Sequence, residues 1–97
     1  MIMPAISPIE VYKEIKAHID SFNFSYNKWY VGLSKNPEFT LFTEHKVDKY
    51  NGFWIYRSFD NVSEANTAKT ELVKLGVQST QDNTNENPVF LFAFIKP

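Results

Sequence analysis

The apolar positions of this chain switch repeatedly between helical and strand spacing. Val11, Ile15, Ile19 and Phe22, with Tyr12 beside them, recur every three to four residues and predict a first helix. Ser7 before Pro8, with Glu10 following, is a capping signature for its start, and Ile6 can staple onto Val11. Trp29, Val31 and Leu33 then alternate with Tyr30 and Gly32, which predicts a short strand. A glycine there marks close approach by a backbone or a ligand, with a helix packed over Gly32 as the simplest cause. Asn36-Pro37-Glu38 opens a second helix whose apolar side is Phe39, Leu41 and Phe42, fading by His45 or Lys46. After a charged connection that turns at Asn51-Gly52, Phe53 to Phe59 alternates but is largely apolar on both faces. Such a strand is either covered twice or presents its rings to a partner.

Ala65, Ala68, Leu72 and Leu75 form the apolar stripe of a third helix, capped by Asn61 with Glu64 or by the rival Ser63. Gly76 is its expected left-handed end, with Val77 making the contact that follows. Gln78 to Pro88 has no apolar residue to anchor it and predicts a mobile polar loop. Val89 to Ile95 is apolar without interruption, hence a strand buried on both faces and central in its sheet. Phe22, Phe24 and Tyr26 also alternate, amid Ser and Asn, and fit an extra edge strand or a packed loop. The pattern therefore predicts a single α+β domain over residues 1–97. Its order is α-β-α-β-α-β, with helices on a three-stranded sheet, strand 89–95 central, and residues 1–6 a flexible arm.

Composition narrows the function classes. Nine Phe, five Tyr and two Trp supply the core of a chain of only 97 residues. There is no cysteine, which removes disulfides and thiolate metal sites. Ten basic and eleven acidic residues leave a formal charge of −1, without the basic field that non-specific polyanion binding needs. No apolar run approaches the ~18–20 residues that span a bilayer. The proline-broken N-terminus lacks a basic leader, so a cytoplasmic location is expected.

Candidate chemistry is sparse. His18 and His45 are separated by a strand and two connections, so no ligand spacing for a structural metal exists. No nucleotide-binding glycine loop and no nucleophile elbow occurs. Attention settles on residues 29–45. Tyr30-Val31-Gly32, then Ser34-Lys35-Asn36-Pro37, then Glu44-His45, resembles the second half of the GIY-YIG nuclease motif. In that family a Tyr-Val-Gly strand leads through a Ser-x-Asn turn into a helix bearing arginine and histidine. A glutamate on a later helix binds a divalent metal. The resemblance implies Tyr30, His45 and Glu71 (or Glu64) as the corresponding residues, with a divalent cation as the cofactor. It departs at Thr40, which occupies the arginine position, and in the missing first motif, which Tyr26 replaces only if residues 22–26 form a strand. What it implies is thus a related scaffold without the nuclease activity.

The reading that follows is a non-catalytic binding protein without a cofactor. It dimerises or holds a macromolecular partner through aromatic surface, with Tyr30, Lys35, His45, Trp54 and Tyr56 as the candidate ligand surface. A protein partner or a second copy is favoured over nucleic acid. The alternative is a GIY-YIG-related, metal-dependent nuclease or DNA-binding domain.

Overall fold

A computed structural model describes residues 7–80, 82 and 86–97. The arm expected at 1–6 and residues 81 and 83–85 of the polar run lie outside them. The first helix, α1 (Pro8–Asp20), starts as predicted: the Ser7 hydroxyl accepts the Glu10 N–H at 3.2 Å. Val11, Ile15 and Ile19 are its buried face. The chain next makes a one-turn 3₁₀ helix at Tyr26–Lys28 and enters β1 (Trp29–Ser34). Residues 22–26 are therefore a packed loop and not the extra strand, so Tyr26 has no strand from which to stand in for a first motif.

Asn36 and Pro37 open the second helix as expected, the Asn36 side chain accepting the Phe39 N–H at 3.3 Å. Its body, Phe39–Glu44, is a π-helix, closed by the His45 N–H donating to the Thr40 carbonyl at 2.9 Å. The chain leaves it through Lys46 at φ 58°. The following turn is built on Asp48, whose carboxylate accepts the N–H groups of Asn51 and Tyr50 at 3.0 and 2.9 Å, and these two bonds lower its pKa.

β2 (Trp54–Ser58) leads to α2 (Val62–Lys74). Asn61 is the cap: its side chain accepts the Glu64 N–H at 2.9 Å. Ala65, Ala68 and Leu72 are buried, whereas Leu75, expected in the same stripe, lies past the helix end and is 38 % exposed. Gly76 at φ 113° turns the chain, and Val77 is buried as predicted.

The main correction concerns the sheet. Among the described residues it has four strands, because the polar run contributes β3 (Gln78–Ser79), which pairs in parallel with β1 at Tyr30 and Val31. The strand order is β2-β4-β1-β3, with β4 (Phe90–Ile95) antiparallel to both of its neighbours, and along the chain the expected alternation of helix and strand gains β3 between α2 and β4. β4 is interior, as its unbroken apolarity requires. The α+β class stands.

The two faces of the sheet are covered differently. Val11, Ile15 and Ile19 of α1 and Ala65, Ala68 and Leu72 of α2 pack on Trp29, Val31, Leu33, Ile55, Leu91 and Ala93. Alanines on α2 bring that helix close to the strands. The opposite face carries Phe92 and Phe94 under Leu41 and Val47, with Tyr30, Phe42, Trp54 and Tyr56 half-buried around them. The two sheet edges, β3 and β2, are short. β3 has only two residues. On β2, Arg57 folds back to donate to the Tyr56 carbonyl at 2.8 Å and lies 3.5 Å from Glu14 of α1.

His18, in the last turn of α1, is half-buried against Phe22 and Trp29, with ring centroids 5.2 and 6.3 Å away. Burial pushes its pKa below the usual 6.5, the Trp54 backbone opposing and Arg57 adding to the shift. The folded state thus holds it neutral while the unfolded chain protonates near 6.5, so its contribution is full above that value and is lost as pH falls toward the lowered pKa. Thermal melts should show stability declining from about pH 7.5 to 5.5, and His18→Phe should flatten that slope. An unchanged slope in the variant would remove His18 from the account.

Candidate functional site

Where β3 ends, β1 still has backbone groups facing the sheet edge. The Thr80 N–H satisfies the Val31 carbonyl at 2.9 Å. One step further the strand is replaced by a side chain: Asp82 Oδ1 accepts the Leu33 N–H at 3.0 Å and the Thr80 hydroxyl at 3.0 Å. Lys69 reaches from α2 to the other oxygen, Asp82 Oδ2. The Asp82 side chain is 5 % exposed and that of Lys69 15 %, so this is a part-buried ion pair in which both carboxylate oxygens have partners. Gly32 lies beneath it. A Cβ at that position would overlap the Thr80 hydroxyl and stand 2.6 Å from Phe92 Cζ. The close approach expected at Gly32 is real, but a polar segment makes it and not a helix.

The same segment forms one wall of a cleft of about 610 Å³. The opposite wall is the Ser34–Asn36 turn and the π-helix. Leu33 and Phe92 are the floor, and Phe39, 52 % exposed, stands among the lining residues. The hydroxyls are engaged internally: Ser34 and Thr40 bond each other at 2.8 Å, and Thr40 also donates to the Asn36 carbonyl at 3.1 Å. Thr40, at the arginine position of the resemblance, therefore braces the turn. Lys35 lies 3.7 Å from Glu86 across the cleft.

Of the five residues expected on a ligand surface, Lys35 and His45 line the cleft. Tyr30 is next to it, stacked on Phe94 at 5.6 Å, and the His45 ring lies 4.6 Å from the same Phe94. Trp54 and Tyr56 are further along that face, stacked on each other at 5.9 Å. Tyr56 donates to Glu38 at 2.9 Å, and this bond raises its pKa. Glu71 is not brought to them. It lies on α2, 3.2 Å from Lys74, beside a shallow apolar groove between α1 and α2 that Glu64 also lines. That groove is on the other side of the sheet from Tyr30 and His45, so the three residues implied by the nuclease resemblance do not share a site.

Among the described residues, no three His, Cys, Asp or Glu side chains cluster as ligands of one metal ion, and no helix is long and apolar enough to cross a membrane. Thr80, Asp82 and Glu86 were missed as cleft residues. The one signal for them was Gly32, which announced a close neighbour without naming it. Against models of known families, curated proteins and solved structures, the chain finds no match.

Proposed function

We propose that this chain is a non-catalytic binding protein that holds a protein partner on the sheet face opposite α1 and α2, with the cleft as the point of insertion. One observation carries the reading: a concave site and a row of half-buried rings (Tyr30, Tyr56, Trp54 and Phe42) share that face. Aromatic rings that are neither fully buried nor scattered are what interface cores use. The strand-turn-helix of residues 29–45 also supports a scaffold related to the GIY-YIG domain. Its chemistry is opposed by Thr40 as a structural brace and by Glu71 on the far side. A second copy of the chain is one such partner, and self-association would then use this same face.

The test is a displayed peptide library panned against the full chain, with the selected peptides mapped by ¹⁵N chemical shifts. Binders are expected to perturb the cleft together with Tyr30, Trp54 and Tyr56, and light scattering over a concentration series reads out self-association. Magnesium- or manganese-dependent DNA cleavage that disappears in Tyr30→Phe and His45→Ala would overturn the reading in favour of the nuclease.

A further inference from the structure

The cleft has a charge and ring arrangement more specific than a general binding face. Its charged lining consists of Lys35 against Glu44, Asp82 and Glu86. Asp82 is neutralised from behind by Lys69, which is not itself a lining residue. Among the described lining residues this leaves two carboxylates, Glu44 and Glu86, and one ammonium, Lys35. That ammonium sits on a side chain 62 % exposed, 3.7 Å from Glu86, so the pair is loose and solvated. Glu44, among the described residues, meets only the Thr40 hydroxyl at 3.4 Å. The rings in the lining are Phe39, His45 and Phe92. Folding leaves Phe39 half in solvent at this site. Carboxylates and aromatic rings lining one concave site, with one displaceable ammonium, are the elements that recognise an organic cation.

We infer that the cleft takes a cationic group, a guanidinium or alkylammonium, placed between the Glu44 and Glu86 carboxylates and against the Phe39 ring. This rests on the partner-binding reading and specifies its anchor. An incoming cation takes the position that the Lys35 ammonium holds near Glu86, and Lys35 swings into solvent. The volume, about 610 Å³, admits a whole arginine or lysine side chain with its flanking backbone, and also a free polyamine. The chemistry is shared, and the experiment separates the two sources.

The ¹⁵N-labelled full chain is titrated with an acetylated, amidated Gly-Arg-Gly peptide, with its Gly-Gln-Gly counterpart, with spermidine and with inorganic phosphate. The arginine peptide is expected to shift the amides of residues 39–45 and Thr80. Glu44→Gln and Phe39→Ala should each weaken it by about tenfold. Lys35→Met should tighten it by about threefold, because it removes the competing ammonium. Thermal melts of the three variants keep loss of fold apart from loss of binding, and all three positions are solvent-facing. Stronger binding of the peptide than of spermidine assigns the cation to a protein side chain; the reverse assigns it to a free amine. Phosphate binding that Lys35→Met abolishes overturns the inference, since the site then takes anions. Equal binding of the glutamine peptide overturns the cation and leaves the partner-binding reading standing. Silence of the cleft toward every probe overturns the inference, while ring-face peptides from the library would still support the broader reading.

Discussion

Gly32→Ala is expected to cost about 3 kcal/mol of folding stability, read as a lowered urea midpoint. The added methyl group would overlap the Thr80 hydroxyl and stand 2.6 Å from Phe92 Cζ and 2.9 Å from Asp82 Oδ1. Phe92 is 1 % exposed and interior to the sheet, so it has little room to yield. Thr80 is bonded on both its N–H and its hydroxyl, so moving it breaks the link to Val31 or to Asp82. A second variant separates these neighbours. Thr80→Ala removes the hydroxyl, and in that background Gly32→Ala should cost measurably less, a coupling expected only if the two positions touch. A Gly32→Ala protein as stable as the parent would mean that the polar segment does not lie over β1.

Asp82→Ala should cost a similar amount, about 3 kcal/mol. It strips the Leu33 N–H and the Thr80 hydroxyl of their acceptor and leaves the Lys69 ammonium largely buried without its counter-charge. The 15 % exposure of the Lys69 side chain lets the ammonium reach some water, which keeps the loss below that of a fully enclosed ion. Removing both charges is a different experiment. In Lys69→Met with Asp82→Asn, the amide oxygen still accepts from Leu33, and the double variant should be more stable than the sum of the single losses predicts. Hydrogen exchange adds a local readout: the Leu33 amide should lose protection in Asp82→Ala, while the interior amides of β4 change only with global stability.

Local chemistry announced most of the scaffold. Ser7, Asn61 and the Asn36-Pro37 pair mark helix starts because a cap is decided within four residues of sequence. The unbroken apolarity of Val89–Ile95 marked a strand buried on both faces, whereas the alternating rings of Phe53–Phe59 left open whether its second face is covered or offered to a partner. The failures have a common cause. Gln78 and Ser79 join the sheet through backbone bonds at an exposed edge, and an edge pairing of two polar residues leaves no hydrophobic signature. Asp82 substitutes for a backbone acceptor, a role that depends on a strand 49 positions away and on no neighbour in sequence. Of the site, Lys35 and His45 were legible together because one turn and one helix carry both. Glu71 was misplaced because the 3–4 spacing of its helix specifies a buried stripe but not which face of the sheet receives it.

The pairing of β1 also bears on how the molecule comes together in time. Its parallel partner β3 lies 48 residues downstream, from Tyr30 to Gln78, and its antiparallel partner β4 lies 66 downstream, from Trp29 to Ile95. Neither bond ladder of this strand is local. Until residues 78–95 arrive, Trp29, Val31 and Leu33 have only α1 and α2 to cover them. Assembly of the sheet must therefore wait for closure of the longest loops in the chain, so folding should run slowly for its size, and β1 is the segment exposed to wrong partners during that interval.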